Sequence, residues 1–171
     1  KIREATRHHG KIIPAHDITA MAMPHLPGQQ EGNLVFLGVE FAQEKADDLD
    51  LLAGVLAHEW GHLTSDFLQG LDANKLAWEE VHELRKEEEG FADAYAGRLL
   101  YLIGHKPDGL IRHFQERSPA QGTAKYHDVP TREAIIRSAW LTQARSQLQA
   151  AKLLVHPGQK SPLTARIIAV A

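Results

Sequence analysis

One stretch of this chain has the residue types and the spacing to do chemistry. Residues 55–62 read Val-Leu-Ala-His-Glu-Trp-Gly-His. On an α-helix, residues four apart share a face, so His58 and His62 can point at one ion. Two neutral imidazoles at that spacing are half of a zinc site. Glu59 follows His58 directly, where it can reach a metal-activated water without ligating the metal. The chain holds 11 histidines, so a chance pair at this spacing is a real alternative, and the motif alone is not specific. Its setting adds weight. Leu51, Leu52, Val55 and Leu56 lead into it, which predicts a buried helix carrying polar groups. Buried polar groups need partners, and a metal supplies one.

A catalytic zinc takes three protein ligands and keeps one position open. The chain has no cysteine and no suitably spaced third histidine after His62, so a carboxylate on a separate helix is the alternative. Glu87, Glu88 and Glu89 are all candidates by position. The pattern Glu89-x-x-Ala92-Asp93-x-x-Ala96 selects Glu89. These four residues share a helical face, and the alanines allow a neighbouring helix to come close. Asp93 lies one turn beyond Glu89. From there it could accept a hydrogen bond from the outer nitrogen of a ligand histidine, which fixes the tautomer and raises ligand basicity. Three consecutive glutamates are more often a solvated face; the intact His-Glu-x-x-His stretch favours the ligand.

The elements that must position these groups follow from periodicity. Asp47-Asp48-Leu49-Asp50 supplies helix-start chemistry, and the active helix is expected from there to about Phe67. Gly70 and Asp72-Ala73-Asn74 break it. A second helix is expected from about Lys75 to Leu102, with Trp78, Val81, Ala92, Tyr95 and Leu99 in helical spacing. Gly104 and Pro107-Asp108-Gly109 end it. Leu110 to Phe114 reads as a short helix, and Ser118 to Val129 as a polar loop long enough to be functional. A last helix opens at Pro130 or Thr131 and runs through Leu154. Ahead of the motif, Ile18 to Met23 and Leu34 to Val39 read as two short strands that could pair and leave an exposed edge. Residues 29–33 form the turn between them, after Pro24 and Pro27-Gly28. More ordered structure begins at Ile12-Ile13-Pro14.

The expected fold is α+β and mostly helical, one domain over residues 1–171, with a small edge sheet and an active-site helix pair. A chain of 171 residues can bury one sizeable core. Residues 1–10, with the adjacent His8 and His9, read as a frayed or disordered start. Residues 155–171 read as a tail that docks on the core or serves a partner. The net charge of −3 is mild and the charges are interspersed, so nothing points to nucleic acid or an anionic membrane. The absence of cysteine excludes a disulfide scaffold and a thiolate metal site. No apolar run approaches the roughly 20 residues of a membrane span. The chain opens on Lys1 with no signal-peptide pattern, which reads as an excised or processed soluble domain. Its compartment is open: extracytoplasmic, or membrane-associated through segments outside this sequence.

Taken together the motifs resemble those of the HtpX and CAAX-prenyl-protease type zinc metallopeptidases, which are gluzincins. Met21-Ala22-Met23-Pro24-x-x-Pro27-Gly28 followed by Leu34-Val35-Phe36-Leu37-Gly38 is similar to that family's paired strand motifs. Residues 52–62 are similar to its active helix, and Glu89-Gly90-Phe91-Ala92-Asp93 to its third-ligand motif. The pieces cover about residues 20 to 100, in order. The resemblance implies a gluzincin core, endopeptidase activity, and a substrate strand added to the sheet edge at Met21, Ala22 and Met23. It weakens after residue 105. Family members often carry His-Pro with an Arg about six residues after the His. Here Tyr126-His127-Asp128-Val129-Pro130-Thr131-Arg132 has Asp128 where Pro would stand and Arg132 five residues after His127. His127 is a candidate oxyanion donor or an inhibitory fourth ligand. Arg132 or Arg137 fills the Arg position, Arg132 as an oxyanion or charge partner. A loop histidine and a surface arginine are the plain alternative.

The expected chemistry is peptide-bond hydrolysis with one zinc per domain, held by His58, His62 and Glu89. Glu59 acts as general base and then acid, and a donor such as His127, Tyr126 or Arg132 faces the oxyanion. The expected partner is a peptide or protein substrate. Two rivals belong to other classes: a latent or non-proteolytic zinc-binding chaperone or adaptor, and a regulator that cleaves one dedicated partner.

Overall fold

The computed structural model describes residues 1–6, 10–24, 32–65 and 75–154. The expectations for His8 and His9, for Pro27-Gly28, for Phe67 to Asn74 and for the tail after Leu154 fall outside them. So does most of the turn over 29–33. The elements are α1 (Ile2–Thr6), β1 (Lys11–Ala15), β2 (Ala20–Met23), β3 (Leu34–Gly38), α2 (Val39–Glu44), α3 (Leu49–Thr64), α4 (Trp78–Ile103), α5 (Asp108–Arg117) and α6 (Val129–Leu154). The architecture is α+β and mostly helical.

The sheet has the order β1-β3-β2. β3 is the central strand and the most apolar; Leu34 and Val35 are buried. β2 pairs with it antiparallel, Ala20 opposite Leu37 and Met23 opposite Leu34, as the two-strand reading expects. β1 adds a parallel strand on the other side, Lys11 opposite Leu34. Pro14 is tolerated there because β1 is an edge, where a missing N–H breaks no central ladder. Among the described residues β2 is the other edge strand, and it lies against α3.

α3 begins at Asp48, whose carboxylate accepts from the Leu51 N–H at 3.0 Å. This is the N-cap that the acidic run predicts. The same side chain takes Arg112 Nη2 at 2.6 Å, tying the start of α3 to α5. Along α3, Leu51, Val55, Ala57, Trp60 and Leu63 are buried against Leu99, Leu100, Leu110 and Ile136. α4 opens with Glu80 reaching back to the Ala77 N–H at 2.8 Å and closes at Gly104, which is left-handed at φ 80°. Trp78, one of the apolar residues in helical spacing, is exposed; it sits in the first turn, before α4 reaches the core. α6 opens one residue earlier than expected. Asp128 accepts from the Thr131 N–H at 2.7 Å, and Pro130 occupies the first turn, where its missing N–H costs nothing.

Two differences from the sequence reading concern short elements. The start of the chain is not uniformly loose: α1 forms, and Ile2 packs against the core. Val39, expected at the end of the second strand, instead opens the helix α2. Phe41 is buried and anchors that turn, a contact that β-branched Val39 masks in the sequence.

Candidate metal centre

Where α3 and α4 cross, their backbones nearly touch. A Cβ at Gly61 would stand 2.7 Å from the Cα of Ala92, closer than any side chain allows. Gly61 and Ala92 therefore set the spacing at which groups on the two helices meet. The helices run antiparallel here, so four residues forward on α3 match four residues back on α4. His58 faces Asp93 and Glu89, and His62 faces Glu89 and Glu88.

The donors converge. His58 Nε2 is 3.3 Å from His62 Nε2 and 3.3 Å from Glu89 Oε2. His62 Nε2 is 3.8 Å from Glu89 Oε1. One ligand atom from each of His58, His62 and Glu89 lies within 4.8 Å of the others. The three residues that the spacing selects are brought together, and Glu89 rather than Glu88 completes the group. Among the described residues this is the group that could hold a metal ion.

The outer nitrogens also have carboxylates. His58 Nδ1 lies 2.9 Å from Asp93 Oδ1. The contact is short but off-axis, leaving Nδ1 without an aligned hydrogen bond; it is an ion pair when the ring is protonated. His62 Nδ1 is 3.4 Å from Glu88 Oε1. Asp93 is fully buried, and the buried Arg132 grips it from α6, Nε to Oδ2 at 2.7 Å and Nη2 to Oδ1 at 2.8 Å. Arg132 also lies 3.5 Å over the ring of Phe114, and that ring stands edge-on to His58. The fork of Arg132 is turned to Asp93, and its Nη2 also lies 3.9 Å from Glu89 Oε2. Arg137 is elsewhere, paired with Glu133 and Asp108.

The electrostatics suit a cation. Glu89 Oε2 is buried with no aligned hydrogen bond, its neighbours being His58 Nε2 at 3.3 Å and Arg132 Nη2 at 3.9 Å. Burial of the His58 ring disfavours its charged form, but Asp93 and Glu89 outweigh that and push its pKa up to about 10. Burial would raise the Asp93 carboxyl, yet the close His58 ring and the bonds from Arg132 hold it below the usual carboxylate range. Two imidazoles and a carboxylate whose Oε2 lacks an aligned hydrogen bond fit zinc, which takes N and O donors readily.

A cavity of about 780 Å³ opens over this group. Glu59 lines it, together with Thr19, Ala20, Met21 and Ala22 of the sheet edge and with Tyr126 and His127. Met21 is half exposed at 50%. Met23 belongs to the same strand but does not line the cavity. His127 packs over α4, its Nε2 3.3 Å from where a Cβ of Gly90 would be, and it is not part of the converging ligand group. Burial, and then Glu89, raise the Tyr126 hydroxyl above its ordinary pKa, so it keeps its proton and can donate.

Comparisons with protein-family models, curated proteins and solved structures find no match to this chain. Its chemistry rests on the residues themselves. Two of them are missing from the sequence reading. Glu88 enters there only as a rival ligand, although His62 needs an outer partner as much as His58 does. Phe114 reads there simply as the end of a short apolar helix.

Proposed function

We propose that this domain is a zinc-dependent endopeptidase, of the HtpX and CAAX-prenyl-protease type its motifs resemble. The observation that carries the reading is the convergence of His58, His62 and Glu89 on one point in a cavity that also holds Glu59 and a free strand edge. His58, His62 and Glu89 would hold the ion. Zinc, when bound, supplies Lewis acidity that activates a water and polarises the scissile carbonyl.

The chain's own residues account for the other steps. Glu59 is half-buried in the cavity and has no hydrogen-bond or ion-pair partner among the described residues. It is free to take the proton of the attacking water and hand it to the leaving amine. Tyr126 and His127 line the same cavity and are the donors available to the oxyanion. The free edge of β2 at Met21 and Ala22 can add an extended peptide through main-chain hydrogen bonds. That mode tolerates many sequences and leaves preference to side-chain contacts. Among the described residues no helix is long and apolar enough to cross a membrane, and the proposed partner is a peptide or protein.

The test is zinc analysis with a casein or peptide-library digest, wild type against Glu59→Gln. The variant is expected to keep its zinc and lose turnover by about 10²–10⁴, the usual scale for a general base. Comparable cleavage by the two proteins at equal zinc would remove Glu59 from that role.

A further inference from the structure

The charges around the cavity are unequally committed. Three arginines line it: Arg85, Arg117 and Arg132. Arg132 is buried and bound by Asp93. Arg85 and Arg117 are exposed and have no hydrogen bond or ion pair among the described residues. The carboxylates that line the cavity are Glu59, Glu88 and Glu89. Glu89 belongs to the ligand group, Glu88 faces His62, and Glu59 is the proposed base. Glu44, whose carboxyl feels Arg117, is already paired with Lys45 at 2.7 Å. Two guanidinium groups are thus left facing the space a substrate would fill, with no carboxylate among the described residues paired with either.

Their placement is not random along the helices. Arg85 stands one turn before Glu89 on α4. Arg117 stands three residues after Phe114 on α5, the residue that packs against His58. One turn is about 5.4 Å of rise, within the span of one or two residues of an extended peptide. The two lie on separate helices, so a peptide on the β2 edge would meet them at different points.

We propose that Arg85 and Arg117 select acidic peptides, by pairing with Asp or Glu side chains close to the scissile bond. This deepens the endopeptidase reading by naming its substrate class. A guanidinium presents a planar fork that matches a carboxylate, and a cavity wall excludes part of the water that would screen the pair. A basic side chain at the same points would be repelled.

The experiment is fluorescence anisotropy with the zinc-loaded full chain carrying Glu59→Gln, so that binding is read without turnover. The probes are three labelled decapeptides of one backbone sequence, bearing Glu, Gln or Lys on both sides of the central bond. The Glu peptide is expected to bind tightest and the Lys peptide weakest. Adding Arg117→Gln or Arg85→Gln should cut the Glu-over-Gln preference by about two- to fivefold each, the scale of a partly exposed ion pair. Arg117→Glu should turn it towards the Lys peptide. Raising the salt should flatten all three affinities. Equal binding of the three peptides, or a preference for Glu that survives both substitutions, would overturn the proposal. A wild-type chain that binds acidic peptides but cleaves none of them would instead count against the endopeptidase reading and leave the selection intact.

Discussion

At the scale of single residues, the site is a set of carboxylates given different work by neighbours a few ångströms away. Glu88 and Glu89 are adjacent in sequence, yet Glu89 meets both imidazole Nε2 atoms while Glu88 meets only His62 Nδ1. Removing the two should therefore have different consequences. Glu89→Ala takes away one of three ligands, and zinc retention after dialysis should fall sharply. Glu88→Gln removes only the partner that steadies the His62 ring, and affinity should fall by about 10–100-fold, the usual effect of losing such a partner. A competition titration against a chromophoric chelator measures both. The reverse order of effect would mean that the metal is held by the other glutamate. The pairing of His58 with His62 was legible from the sequence because helical geometry converts a spacing of four into a shared face. Glu89 stood out because Ala92 and Asp93 complete a pattern around it. Arg132 gripping Asp93 was not legible. It joins residues 39 apart through a fold the sequence does not spell out, and the position of Arg132 five residues after His127 suggested a different task.

At the scale of elements, α6 is what locks the crossing of α3 and α4. A Cβ at Gly97 on α4 would stand 2.3 Å from the Ile136 carbonyl oxygen, so the two helices meet backbone to backbone, and Arg132 reaches across that contact to Asp93. Both members of the pair are buried, at 4% and 0% exposure. Breaking a buried pair from one side leaves a charge without its partner and costs about 3–5 kcal/mol. Arg132→Met should destabilise the domain by that order in urea unfolding, and Arg132→Lys by less, since a lysine keeps the charge and loses the fork. A loss below about 1 kcal/mol for Arg132→Met would show that Asp93 does not depend on it. The long helices were legible because apolar periodicity extends over many turns. Asp48 and Gly104 marked the start of α3 and the end of α4 in the places expected. β1 and α2 were not legible. Each is five or six residues long, too short for periodicity to assert itself. Pro14 argues against a strand until β1 is known to lie at an edge.

At the scale of the whole molecule, the ligand group joins α3 to α4 at a point where α5, α6 and β2 all contribute cavity wall. The core beneath it is apolar: Trp60, Leu100, Leu110, Ile136 and Val35 are all fully buried. The crossing therefore has its own hydrophobic support. What the ion would add is relief for charges already assembled, the Glu89 oxygen that lacks an aligned hydrogen bond above all. That favours a domain that folds when empty and is stiffened when loaded, unlike small zinc modules that fold only around their metal. Ligand that binds only the native state stabilises it by about 2.7 kcal/mol at a hundredfold excess over Kd. For a chain of this size, each kcal/mol moves Tm by roughly 2–4 °C. Stripping the zinc with a chelator should lower Tm by roughly 5–11 °C while far-UV circular dichroism keeps its helical form. Zinc binding to histidines of the unfolded chain would reduce the shift, and the Glu89→Ala protein measures that contribution, since it keeps the histidines and lacks the third ligand. Its Tm should respond little to zinc. Loss of helical signal on stripping would place this chain among proteins that need their metal to fold. An unchanged Tm in a protein that retains zinc would place the ion away from the α3–α4 crossing.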